Sequence, residues 1–307
     1  MKIAIMGAGA IGAYVGARLV QAGHDVSLIA RGDHLKAIQK NGLSIESPLG
    51  EVNGLPVPAT DDPANIGMVD LVIFTVKLWD TEIAARAMQP LVGPRTRIVT
   101  LQNGIDSVAA ISRHVAGDQV VGGVIYLFAV IDRPGVVRNS GGVRKLIVSA
   151  DNANPIIAHL ADALNQAPGI ESLLSEDIRR TIWQKYIRLV PLSAAAALTR
   201  RPIGDIRDNI TTRNFLLSLL QELVAVANSQ GQDFPDKEVN EGMEFYDGLP
   251  QEFKPSMLQD VERGNHLELP WLSSRVCELG QLHGIATPAN WAAKCGLCLL
   301  ADRSRNH

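Results

Sequence analysis

Cysteine is scarce in this 307-residue chain, with only Cys277, Cys295 and Cys298, and an odd count closes no disulfide framework. Cys295-Gly-Leu-Cys298 has a C-x-x-C spacing but no accompanying set of ligands, so the three are expected as small core thiols rather than metal or redox groups. Basic residues are not in excess, 29 Lys and Arg against 32 Asp and Glu, and no basic run is interleaved with aromatics, which argues against nucleic acid as a partner. No apolar run reaches the ~18 residues of a membrane span. The first twelve residues read as strand and turn, leaving no signal peptide, so a cytoplasmic location is expected. Internal repeats are absent, as is low complexity beyond Ala194–Ala197. What remains is 46% apolar and 20% charged, enough for two domains of ordinary size.

The chain opens on Lys2-Ile-Ala-Ile-Met6, turns through Gly7-Ala-Gly9-Ala-Ile-Gly12, and continues as an apolar-periodic helix to Gly23. Gly7 permits the tight turn, Gly9 lets backbone N–H groups approach a pyrophosphate, and Gly12 lets the helix pack on the strand. The helix N-terminus adds partial positive charge. A second strand, Asp25–Ala30, follows at the distance a βαβ unit requires, which predicts a dinucleotide site at Gly7, Gly9, Ala10, Ile11 and Gly12. Arg31 stands where an NAD site usually carries a carboxylate, and a guanidinium suits a 2'-phosphate. The expected cofactor is therefore NADP(H). Asp33 supports the opposite choice if the strand ends two residues later.

A strand pair is expected near Gly42–Glu46 and Leu55–Val57, then a buried parallel strand over Val69–Val76, a helix over Asp80–Met88 and a strand over Arg97–Leu101. Further strands follow through Val148, with Gly135 and Gly141-Gly142 as hairpin turns. From Ser175 the pattern is helical: Glu176–Ala197, Thr212–Gln230, Pro255–Arg263 and Pro270–His283. The fold class is α/β, with a dinucleotide-binding domain at 1–172 and an all-α domain at 173–307.

Lys77 and Asn103-Gly104 directly follow strands, as the glycine turn does, and the carboxyl ends of a parallel sheet share one edge. All three are expected to converge on the nicotinamide half of a dinucleotide. Taken singly, Lys77 could be a solvated lysine and Asn-Gly an ordinary turn. Likewise Lys185 could be an idle helix lysine, Glu268 a helix-dipole complement before Pro270, and Ser256 a first-turn serine.

In order and spacing, Gly7-x-Gly9-x-x-Gly12, Arg31, Thr75-Val-Lys77, Leu101-Gln-Asn103-Gly104, Trp183-Gln-Lys185, Ser256-Met-Leu-Gln-Asp260 and Glu268 resemble the ketopantoate reductase (2-dehydropantoate 2-reductase) family. The resemblance covers nearly the whole chain. It implies an N-terminal Rossmann domain carrying NADPH, a C-terminal helical domain, a 2-oxo acid substrate in the cleft between them, and a homodimer. Lys185 is then the general acid that protonates the carbonyl oxygen as hydride arrives. Glu268 orients a substrate hydroxyl and the lysine, and Ser256 binds the substrate carboxylate. Asn103 and Lys77 position substrate and nicotinamide.

Leu189 and Ser193 lie one and two turns past Lys185, where family members usually carry asparagines, and Ser193 is expected to contact substrate. Pro191 removes a helix N–H and is expected to kink the helix. Ser273-Ser274 replaces an expected Asn-Gly pair. Three readings follow: reduction of 2-dehydropantoate to (R)-pantoate; the same chemistry on a more apolar 2-oxo acid; or a catalytically silent NADP(H) sensor. Lys185 and Glu268 together argue against the last.

Overall fold

The structure, a computed structural model, describes residues 1–150 and 154–302; the last five residues of the expected second domain lie outside the described residues. The chain divides into two compact units, Met1–Ile182 and Trp183–His307. The division thus falls beyond residue 172, because a last sheet strand and the first residues of the following helix still belong to the first unit.

The first unit runs β1 (Lys2–Met6), α1 (Ala10–Gln21), β2 (Asp25–Ile29), α2 (Gly32–Asn41), β3 (Leu43–Glu46), β4 (Val52–Leu55), β5 (Ala59–Thr60), β6 (Leu71–Phe74), α3 (Thr81–Ala87), β7 (Arg97–Thr100) and α4 (Ser107–Ile111). It continues with β8 (Val120–Tyr126), β9 (Ala129–Arg133), β10 (Val136–Asn139), β11 (Lys145–Ser149), α5 (Pro155–Gln166), β12 (Glu171–Ser175) and the start of α6 (Ile178–Thr199). The main sheet has the order β12-β11-β8-β7-β6-β1-β2-β5. Strands β5, β2, β1, β6, β7 and β8 run parallel, while β11 is antiparallel to β8.

Strand alternation feeds two cores. Ile3, Ile5, Leu28, Leu71 and Ile73 point to one face, with Ala13 and Tyr14 of α1 and Leu160 of α5. Ala4, Met6, Val72, Phe74 and Ile98 point to the other, with Ala84 and Ala85 of α3 and Ile111 of α4. Burial on both faces explains why these strands are apolar throughout.

A second sheet, β4-β3-β10-β9, contributes Leu43, Ile45, Val52 and Val137 to the α1 side of the core. Helix α1 is therefore covered on two sides, and every residue from Gly12 to Leu19 is buried. Even Arg18 is enclosed, its guanidinium donating to Gln21 Oε1 (2.8 Å), Gly50 O (3.2 Å) and Tyr14 Oη (3.3 Å). Gly135 turns the β9–β10 hairpin as expected. Gly141-Gly142 does not make a hairpin: β10 and β11 belong to different sheets, and the two left-handed glycines carry the chain from one to the other.

The second unit holds the rest of α6 and then α7 (Ile203–Asp208), α8 (Ile210–Ser229), α9 (Lys237–Asp247), α10 (Ser256–Arg263), α11 (Ser273–His283) and α12 (Pro288–Asp302). Helix α6 runs on through Pro191 without a break in its helical span. Ala194–Ala197 is fully buried there, and the neighbouring Leu198 leaves no room for a side chain at Gly296 of α12. The Glu222 carboxylate of α8 caps α12, accepting from Ala289 N (2.7 Å), Asn290 N (2.9 Å) and Asn290 Nδ2 (2.8 Å). Of the cysteines only Cys277 is buried; Cys295 is exposed and Cys298 half-buried, correcting the expectation of three core thiols. These two lie on an outer stretch of α12 that its apolar periodicity did not reveal.

A methyl group at Gly12 would lie 2.5 Å from both Gly7 O and Thr75 Oγ1. Gly12→Ala should therefore lower stability by about 1–3 kcal/mol, read as a fall in the thermal midpoint by circular dichroism. An unchanged midpoint would show that α1 can shift away from β1.

Candidate active site

Three neighbouring parallel strands, β1, β6 and β7, end on one edge of the main sheet. The segments that leave them carry Gly7–Gly12, Lys77 and Asn103, so all three leave the sheet at this one edge. The edge also lies where the chain order reverses, with β2 on one side of β1 and β6 on the other, the position at which open α/β sheets bind ligands.

Gly7 has φ +94°, and a Cβ there would strike Val76. The Gly9 N–H turns inward to Gly7 O (2.8 Å), so the amides that head the helix are those of Ala10, Ile11 and Gly12. First-turn amides have no acceptor within a helix. Gly9 supplies no side-chain cap, and a Cβ built on it would meet nothing within 4 Å. The turn thus presents donors and open space together, which fits the pyrophosphate of a dinucleotide.

Arg31 lies just past β2, in extended backbone at the start of α2, with its side chain exposed. Asp33 falls within the first turn of α2 and pairs with Lys36 at 3.2 Å on the surface. The strand thus ends before Arg31, not after it. Lys77 is exposed, its ammonium 5.4 Å from the centre of the Trp79 ring. Asn103 is half-buried in the bend after β7.

In the second unit, Lys185 sits on α6 and Glu268 begins the short 3₁₀ turn Leu269–Trp271 that precedes α11. Glu268 is only 7% exposed. Desolvation pushes the Lys185 ammonium down to about 8, opposed by the negative charge of Glu268. The residue as a whole is half-buried. Ser256, the first residue of α10, is exposed. Leu189 is half-buried, whereas Ser193 is 1% exposed and its hydroxyl meets no partner. Ser273, fully buried, has an equally unpartnered hydroxyl.

Three residues have supporting roles that the sequence reading did not assign. Thr75 Oγ1 donates to Gly7 O (2.8 Å) and fastens the glycine turn to the end of β6. Gln102 Nε2 donates to Val76 O (2.9 Å) and Thr81 Oγ1 (2.8 Å), tying the Lys77 and Asn103 segments together. Tyr186, buried, shares its hydroxyl hydrogen between Trp271 O (2.9 Å) and Leu272 O (3.0 Å), and so holds the Lys185 helix to the Glu268 turn. Thr75 and Gln102 are polar residues flanking apolar strands, a detectable pattern. Nothing in the sequence pairs Tyr186 with a turn so distant along the chain.

Comparison with known proteins identifies the family. The family described as "Ketopantoate reductase PanE/ApbA" matches residues 3–152, and its C-terminal counterpart matches 177–293. A 2-dehydropantoate 2-reductase of Mesorhizobium japonicum is 34% identical over 313 residues, covering 94% of each chain. The crystal structure of a PanE/ApbA family ketopantoate reductase from Ralstonia eutropha JMP134 superimposes with a TM-score of 0.90 at 31% identity, covering all of both chains. A D-mandelate dehydrogenase solved with NADH and anilino(oxo)acetate has the same fold, with a TM-score of 0.90 at 23% identity over 99% of each chain. With both family segments matched in order, and with a relative this similar along nearly its full length, the chain belongs to the ketopantoate reductase family.

Proposed function

We propose that this chain reduces 2-dehydropantoate to (R)-pantoate with NADPH, using Lys185 as the general acid. The observation that carries the reading is the Lys185–Glu268 pair: an ammonium lowered to about 8 by desolvation, with a buried carboxylate acting on it. Family membership and the 2-dehydropantoate 2-reductase relative support the substrate. The cytoplasmic location and the homodimer expected from the sequence belong to the same reading.

The donors heading α1 hold the pyrophosphate, and Arg31 takes the 2'-phosphate as a guanidinium suits it. Bound there, the reduced nicotinamide supplies a hydride. Lys77 and Asn103, leaving the strands next to the glycine turn, orient the nicotinamide and the 2-oxo acid. Ser256, exposed at the head of α10, offers its hydroxyl to the substrate carboxylate, and the positive end of that helix favours the same anion. Glu268 accepts the substrate hydroxyl and holds Lys185. Lys185 Nζ donates its proton to the carbonyl oxygen as negative charge develops, which a lysine near pH 8 does more readily than one at the ordinary ~10.4. Ser193, expected to contact substrate, has its hydroxyl buried and closed to solvent on the same helix, so it takes no part in this reading.

A second reading rests on Leu189. One turn past Lys185 it offers a hydrocarbon surface and no hydrogen bond, which favours a 2-oxo acid with an apolar side chain. Steady-state NADPH oxidation with 2-dehydropantoate and with a hydroxyl-free 2-oxo acid of similar size separates the two. A higher kcat/KM for 2-dehydropantoate supports the first reading, and the reverse order supports the second.

Reduction needs Lys185 protonated, so kcat/KM for reduction should be level below pH 7 and fall through about 8, with the oxidation of pantoate rising over the same range. A reduction profile flat to pH 9.5 would show that Lys185, if it is the acid, is not lowered to about 8 in the working enzyme. Lys185→Ala should lower kcat by about 10²-fold or more while NADPH affinity, measured by nicotinamide fluorescence, stays unchanged. Tyr186→Phe removes the hydroxyl that bridges Trp271 O and Leu272 O, leaving Leu272 O only the Val276 N–H, so it should cost about 1 kcal/mol in urea denaturation and lower kcat more than it raises KM. Wild-type stability and kcat in that variant would show that the Lys185 helix and the Glu268 turn hold their places without the bond.

A further inference from the structure

The Arg31 guanidinium already has an anionic partner. Its Nη1 lies 3.6 Å from Oδ2 of Asp80, with the two side chains 61% and 30% exposed. Arg31 leaves β2, whereas Asp80 ends the 3₁₀ turn Leu78–Asp80 that follows β6. Strands β2 and β6 are the two neighbours of β1 in the sheet. The ion pair therefore spans the carboxyl end of β1, over the place where the glycine turn begins. A dinucleotide whose pyrophosphate rests on the head of α1 extends its adenosine ribose toward β2, and reaches Arg31 with Asp80 on it. The other nearby charges are engaged elsewhere: Asp33 with Lys36 at 3.2 Å, and Lys77 over the Trp79 ring.

We propose that Asp80 is a cofactor-specificity residue: its carboxylate holds the Arg31 guanidinium in the stead of a 2'-phosphate, and NADP(H) binds by displacing it. The inference rests on the NADP(H) reading above. A 2'-phosphate carries more negative charge than a carboxylate and offers three terminal acceptor oxygens against two, so the exchange favours the cofactor. NAD(H) has no group to offer Arg31 and leaves the pair closed. Asp80 then opposes NADP(H) twice, by the pair that must open and by repulsion of the incoming phosphate. It leaves NAD(H) nearly unaffected, so it narrows the preference that Arg31 creates. Since both side chains are solvated, the effect is moderate and screened by salt.

The test is fluorescence titration of the full chain with NADPH and with NADH, at low and high salt, for the wild type, Asp80→Asn, Asp80→Ser, Arg31→Ala and the Arg31→Ala/Asp80→Asn double variant. Asp80 makes no side-chain cap bond to α3, so its replacement removes charge without uncapping a helix. The expected result is NADPH binding about 3- to 10-fold tighter in both Asp80 variants, NADH binding unchanged, and a gain that shrinks at high salt and in the Arg31→Ala background. Unchanged or weaker NADPH binding in the Asp80 variants, with Arg31→Ala still weakening it, would overturn the role of Asp80 and leave the NADP(H) reading intact. NADPH binding indifferent to Arg31→Ala would overturn both.

Discussion

Helix α1 lies where no spare volume exists. The main sheet covers one side and the smaller sheet another, and its first turn approaches β1 so closely that the Gly7 carbonyl occupies the space a side chain at Gly12 would need. Everything at the carboxyl edge takes its position from this packing. Because the helix is packed on both sides, its first-turn amides are held at a fixed height above the sheet; Thr75 fastens the β6 segment to the glycine turn, and Gln102 fastens the β7 segment to the β6 segment. Preorganised donors of this kind need little rearrangement when an anion arrives.

The helical unit solves a different problem, that of keeping a lysine poorly hydrated without leaving it uncompensated. Desolvation alone would favour the free amine; the Glu268 carboxylate draws the balance back. The balance depends on how the α6 helix and the turn before α11 are spaced. The Tyr186 hydroxyl, bonded to two carbonyls of that turn, is the visible spacer. In the same unit, the hydroxyls of Ser193 and Ser273 are buried without partners.

Much of the first unit was legible because its periodicities are strong. The fully apolar strands, the glycine spacing and the residues placed directly after strand ends define the sheet edge without reference to distant contacts. What the sequence did not disclose depends on tertiary pairing. Gly141-Gly142 looks like a hairpin, but it joins strands of different sheets, which only the partner strands decide. The first unit runs past 172 because β12 adds to the edge of the sheet next to β11, a pairing that local pattern cannot see. Lys185 and Glu268 stood out only through a resemblance, since a lysine on a helix and a glutamate before a proline are each ordinary.

The alternation of strand side chains between two cores has an evolutionary consequence. A change in any central strand residue must satisfy tight packing on its own face, so the sheet drifts slowly. Arg31, Lys77 and Asp80, on the segments that leave its carboxyl edge, belong to neither core. They can therefore be exchanged at small cost in stability, leaving the polar surface of this edge free to diverge on a scaffold that stays the same.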